Sequence, residues 1–245
     1  MTTNPTPAAQ SEFSAQPLID LMISHGAIGF YQDPITLKSG KKSYWYVNWR
    51  SLLSDVALID QVTDILMAFS AHLQLRAATF YGVPEGCTKL GLIMQYKWAM
   101  RDGRPSVGSA VLPMGRGKPK DHGLPEDRFF VGKPGGRLVV LEDVTTTGSS
   151  LIAVLAQLRE MGVFVESAIT LTDRGSRRPD GLTVRQAVES MGINYFPLVS
   201  ATDVLPHAVR ALKPAPHIVE ALINDFPESP TFAEQLQVAA ASKSS

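Results

Sequence analysis

Val139-Val140-Leu141-Glu142-Asp143-Val144-Thr145-Thr146-Thr147-Gly148-Ser149 decides the fold of this chain. Apolar residues, two adjacent carboxylates and small hydroxyl residues closed by glycine describe a buried strand feeding a loop and then a helix. Ligands of an open parallel sheet bind at that carboxyl edge. The stretch through Ser150 suits a phosphate, because Gly148 lets the backbone come close, the hydroxyls of Thr145, Thr146, Thr147 and Ser149 can donate, and the helix start favours an anion. Carboxylates beside a phosphate repel it, so Glu142 and Asp143 read as acceptors for sugar hydroxyls a few ångströms away. A ribose phosphate offers both partners.

Outward from this string, strands alternate with helices. On the N-terminal side, Leu18–Ile23 predicts a helix ending at His25-Gly26, and Ile35–Leu37 with Tyr44–Val47 predicts a hairpin across Lys38-Ser39-Gly40-Lys41-Lys42. Apolar spacing predicts helices over Leu58–Leu73 and Lys89–Met100, with strands at Ala77–Tyr81 and Ser106–Leu112. Pro113–Gly136 holds six glycines and four prolines in 24 residues, and a loop that long is either functional or hides an element. After the central string come a helix with Leu151, Leu155 and Leu158 on one face and a strand over Val163–Leu171. Alternation of this kind argues for a mostly parallel sheet flanked by helices.

The chain has 245 residues, 44% of them apolar and 19% charged, enough to bury a sizeable core. Lys plus Arg and Asp plus Glu both number 23, so bulk charge gives no reason to expect a nucleic-acid or membrane-surface partner. The single cysteine, Cys87, excludes an internal disulfide and a multi-thiolate metal site, and fits a cytoplasmic protein. Neither G-x-x-x-x-G-K-[ST] nor a G-x-G-x-x-G after a strand is present, which disfavours a P-loop NTPase or an NAD enzyme. Residues 1–16 read as a disordered leader and 17–225 as one domain, with a small N-terminal hood over 17–55 and a core over 56–200. Residues 226–245 read as an extension that frays from Ala239.

The central string resembles the phosphoribosyl-pyrophosphate (PRPP) signature of type I phosphoribosyltransferases. Ile35-Thr36-Leu37-Lys38-Ser39-Gly40-Lys41-Lys42-Ser43 before Tyr44-Trp45-Tyr46-Val47-Asn48 resembles the hairpin of the orotate phosphoribosyltransferase family, and Arg116-Gly117-Lys118-Pro119-Lys120-Asp121-His122-Gly123 resembles its mobile catalytic loop. The resemblance implies the family's fold and transfer of phosphoribose from PRPP to orotate with magnesium, held through PRPP and pyrophosphate rather than by direct protein ligands. It implies that Glu142 and Asp143 bind the ribose hydroxyls, that Val144 to Ser150 bind the 5-phosphate, and that Lys38 and the amides of Glu85 and Gly86 lie near the pyrophosphate. Tyr46, Val47, Thr146 and Arg174 are then the orotate residues. Arg116, Lys118, Lys120 and His122 close over PRPP from the neighbouring subunit of a homodimer, with Arg116, Lys120, His122 and Asp143 carrying catalysis.

The chain departs from the family pattern at three places. Gly117 stands where the family usually carries a second basic residue, Glu85-Gly86 stand where it often has an aromatic and a lysine, and Glu142 replaces the first aspartate. Two other readings use the same PRPP motif: a phosphoribosyltransferase for another base, and a PRPP-binding regulator that has lost turnover.

Overall fold

The computed structural model describes residues 13–37, 39–77 and 79–242. Helix α1 (Gln16–Ser24) starts inside the stretch read as a leader, and Phe13 ahead of it rests on Phe69 with ring centroids 4.8 Å apart. β1 (Ile28–Thr36) and β2 (Lys42–Val47) form the expected antiparallel hairpin, with Ile35 opposite Ser43 and Thr36 opposite Lys42. Lys38 lies outside the described residues. The short helix α2 (Trp49–Leu52) follows, and the buried Trp49 donates its indole N–H to Thr172 Oγ1 at 3.0 Å, which pins this N-terminal hood onto the central sheet. Asp55 caps α3 (Val56–His72) by accepting from the Ala57 and Leu58 amides.

β3 (Thr79–Gly82) leads through a tight loop into α4 (Thr88–Met100). The strand expected over Ser106–Leu112 does not form: Ser109 N–H bonds to Ser106 O, Gly108 has φ +84°, and Val107 is fully exposed. The reason lies at the outer edge of β3. The buried side chain of Gln95 accepts from Phe80 N–H at 2.8 Å and donates to Val111 O at 3.0 Å, so its amide stands where a neighbouring strand would pair. Gly82 and Gly91 meet backbone to backbone beside it, since a Cβ on Gly91 would lie 2.3 Å from Gly82 N.

The Gly/Pro-rich loop does hide elements. β4 (Met114–Gly115), α5 (Pro125–Phe129) and β5 (Phe130–Val131) make it a small hairpin, with Met114 opposite Val131. The decisive string forms β6 (Leu138–Thr145) and α6 (Ser149–Glu160), followed by β7 (Val165–Asp173), α7 (Val184–Glu189) and β8 (Asn194–Ser200). Among the described residues β3, β6, β7 and β8 form a four-stranded parallel sheet in the order β3-β6-β7-β8. Alternate residues of β6 face opposite layers. Leu138 and Val140 pack with Leu151, Leu155 and Val188 on one side, while Val139 and Leu141 join Leu66, Leu90, Val204 and Leu205 on the other. The expected α/β architecture with covered faces is therefore present.

The C-terminal part is more ordered than its sequence suggests. α8 (Ala201–Leu212), α9 (Pro216–Asn224) and α10 (Pro230–Ala241) pack on the hood side of the core. Ala239 is fully buried, which corrects the frayed reading as far as Ala241; residues 243–245 lie outside the described part.

Candidate active site

A cleft of about 490 Å³ opens at the carboxyl end of β6, between the sheet and the hairpin. Its acid side is built by β6. Glu142 is buried, and Asp143 Oδ1 accepts from the Val144 amide at 2.8 Å. Gly86 faces Asp143 so closely that a Cβ there would lie 2.6 Å from Asp143 Oδ2, so any larger residue would have to displace that carboxylate. Glu85 lines the same side, and the Pro84–Glu85 peptide is cis.

The loop below is held from beneath. Gly148 has φ +67°, and a Cβ there would lie 2.8 Å from Val184 Cγ1, so both conformation and space demand glycine. Thr147 and Ser149 hydroxyls are 2.9 Å apart, and Arg178 donates to Thr147 O at 2.7 Å. Val144, Thr146, Thr147, Gly148, Ser149 and Ser150 line the cleft. Thr145 does not, which differs from the expectation: its buried hydroxyl is 2.7 Å from Tyr195 OH, which in turn donates to Asp173 Oδ2 at 3.1 Å. That hydroxyl is spent inside the core, on the cluster that also holds Leu138 and Val140. Burial pushes both Asp173 and Tyr195 upward in pKa.

On the opposite wall Arg174 is only 5% exposed. Its Nη2 donates to Ser43 Oγ at 2.8 Å and its Nη1 to Trp45 O at 3.3 Å, while the guanidinium lies 3.7 Å above the Trp45 ring. Among the described residues no carboxylate is in ion-pair contact with it. Burial lowers its pKa from 12.5 to about 10, more than the nearby Asp225 carboxylate, which is not in contact with it, offsets. Tyr46 and Val47 of β2 complete this wall.

The cleft thus gathers Tyr46, Val47, Glu85, Gly86, Glu142, Asp143, Val144, Thr146 to Ser150 and Arg174. It does not gather Arg116, Lys118, Lys120 or His122. Those residues sit on the small hairpin, which bonds to itself through Arg116 N–H to Phe129 O, Arg116 Nε to Asp127 O and Arg128 Nε to Lys120 O. Of that loop only Gly117 lines the cleft among the described residues. Sequence reasoning missed Arg50, Asn48 and Trp49 of the lining and Arg178 beneath it. Arg50 was findable as a cation just after the hairpin; Arg178, one of several basic residues in an irregular stretch, carried no signal.

No family model matches the chain. The orotate phosphoribosyltransferase of Rhodopseudomonas palustris (strain BisB18) is 31% identical over 187 residues, which cover 73% of this chain and 91% of that protein. Among solved structures, the orotate phosphoribosyltransferase from Aeropyrum pernix has a TM-score of 0.57 at 25% identity and covers 78% of this chain and 98% of its own. The Mycobacterium tuberculosis H37Rv orotate phosphoribosyltransferase, solved in complex with PRPP, shares the fold with a TM-score of 0.53 at 16% identity, over 78% of this chain and 99% of that one.

Proposed function

The chain belongs to the orotate phosphoribosyltransferase family, and from that premise we propose how its cleft divides the work. The enzyme transfers the 5-phosphoribosyl group of PRPP to orotate, giving orotidine 5'-monophosphate and pyrophosphate in pyrimidine biosynthesis. A bond forms between a ring nitrogen of orotate and ribose C1 as the bond from C1 to the pyrophosphate oxygen breaks.

Val144, Thr146, Thr147, Gly148, Ser149 and Ser150 take the 5-phosphate, and Glu142 and Asp143 accept from the ribose hydroxyls. Thr145 supports the loop from the core. The amides of Glu85 and Gly86 face the pyrophosphate, with Lys38 from the hairpin. Tyr46, Val47 and Thr146 hold the orotate ring, and Arg174 takes its carboxylate. One observation carries the base assignment: a buried guanidinium, stacked on Trp45 and with no carboxylate in ion-pair contact among the described residues, opens into the cleft. A carboxylate-bearing base supplies the missing charge.

Departure of pyrophosphate builds positive character on the ribose and negative charge on the leaving oxygens, so cations must gather there and water must be excluded. Arg116, Lys118, Lys120 and His122 do this by closing as a lid, which fits their present position outside the cleft on a separate hairpin. With Glu142 and Asp143 engaged by the sugar, magnesium would be held mainly through PRPP and pyrophosphate oxygens and its own waters, and when bound would offset charge on the pyrophosphate. We further take residues 17–225 as one catalytic domain and the active assembly as a cytoplasmic homodimer whose lids are exchanged. Ile93, Tyr96, Val111 and Leu112, exposed apolar residues on α4 and the approach to the lid, support that side as the contact. No helix of the described residues is long and apolar enough to cross a membrane.

Incubation of the purified protein with PRPP, magnesium and a panel of bases tests the reading. Pyrophosphate release with orotate, and not with uracil or adenine, is expected. Preference for a purine would overturn the base assignment.

A further inference from the structure

The charges lining the cleft do not balance. Its described lining carries three carboxylates, on Glu85, Glu142 and Asp143, and two guanidiniums, on Arg50 and Arg174. Arg174 is tied to the opposite wall by Ser43 and Trp45. The lid residue that reaches the cleft, Gly117, adds no charge, and Glu85 lies against it: a Cβ on Gly117 would be 2.7 Å from Glu85 Oε1. Arg50 is therefore the cation on the acid side among the described lining residues.

Its position is both anchored and free. The neighbours Trp49 and Leu52 are buried, so the backbone of α2 is fixed on the sheet. The Arg50 side chain is 73% exposed, and its Nε stands 3.7 Å from Asp143 Oδ2, an attraction too long for a good hydrogen bond. The guanidinium can turn away from Asp143 without breaking a tight contact.

Resting on the reading of Asp143 as a ribose-hydroxyl acceptor, we infer that Arg50 binds the pyrophosphate of PRPP. The pyrophosphate is carried on C1, beside the hydroxyls on C2 and C3 that the acid pair accepts from. A cation this near Asp143 therefore stands at the leaving-group end of the ribose, away from the 5-phosphate loop. A diphosphate entering among three carboxylates is repelled, and a guanidinium fork matches phosphate oxygens while offsetting that repulsion. The charge on the leaving oxygens grows as the C1 bond breaks, so the same contact strengthens during transfer.

Wild type, Arg50→Ala, Arg50→Lys and Asp143→Asn are compared with magnesium and saturating orotate while PRPP is varied, with inorganic pyrophosphate and ribose 5-phosphate as inhibitors. Arg50→Ala should raise the PRPP KM and the pyrophosphate inhibition constant by about tenfold, leaving the orotate KM and ribose 5-phosphate inhibition within about twofold. Arg50→Lys should recover part of the loss, since it keeps the charge and loses the fork. Unchanged pyrophosphate inhibition in Arg50→Ala, with PRPP binding still lost in Asp143→Asn, overturns the role of Arg50 and leaves the ribose reading standing. Equal weakening of pyrophosphate and ribose 5-phosphate also overturns it, because Arg50 would then act only by holding Asp143. Unchanged PRPP kinetics in Asp143→Asn would remove the reading on which the inference rests.

Discussion

The two walls of the cleft carry opposite charge in opposite surroundings. On the β6 side the acid pair faces a half-open space, with an exposed arginine loosely attracted to Asp143. On the hairpin side a single guanidinium is sealed between Trp45 and Ser43. A substrate rich in hydroxyls and phosphates can be handled by acceptors in contact with water, since each contact replaces a hydration bond of similar strength. An aromatic carboxylate is recognised more sharply by a desolvated cation, because an analogue lacking the charge leaves that cation unpaired.

Removing the sealed cation should have the largest effect. Arg174→Ala should raise the orotate KM by about a hundredfold, in line with the ~2–5 kcal/mol lost when one partner of a buried charged pair is truncated. Residual turnover of uracil, which has no carboxylate, should hardly change. Equal losses for both bases would erase the distinction between the walls. Next, Asp143→Asn should lower kcat/KM for PRPP by about tenfold to a hundredfold, as a hydrogen bond to a charged acceptor contributes ~1.5–3 kcal/mol. Wild-type kinetics with PRPP in that variant would show that the acid wall does not read ribose.

A smaller effect tests whether the lid belongs to the same subunit as the walls. Mixing Lys120→Ala and Asp143→Asn chains, each impaired on its own, should raise activity to about a quarter of wild type, since half the dimers are mixed and each has one intact site of two. No recovery on subunit exchange would assign the lid to its own subunit. Smallest is Tyr195→Phe, which removes the hydroxyl joining Thr145 and Asp173 beside the loop after β6. It should cost about 1 kcal/mol of stability, read as a fall of a few degrees in Tm, with KM values nearly unchanged.

The sequence made the sheet, its helical cover and most of the cleft legible for a common reason: β6 and the loop after it carry their chemistry in consecutive residues. Where long-range contacts decide, the pattern misled. Ser106–Leu112 has the composition of a strand, yet Gln95, from a helix, occupies the position its partner would need. β8 carries no clear strand pattern because Pro197 interrupts it, which an edge strand tolerates. Thr145 and Thr146 look alike in sequence, yet Thr145, the last residue of β6, spends its hydroxyl on Tyr195 while Thr146, just past the strand end, lines the cleft. That Arg116, Lys118, Lys120 and His122 stand off the cleft is likewise invisible in their spacing.

The amide of Gln95 and the meeting of Gly82 with Gly91 also govern how this protein can associate. An edge strand with free N–H and C=O groups is a template on which further strands can grow. Here the Phe80 N–H is already occupied, and α4 lies against Gly82 where another backbone would have to approach. Copies meeting on this side must do so through side chains such as Ile93 and Tyr96, whose shapes specify one register and one partner, rather than through a backbone ladder that any extended chain could join.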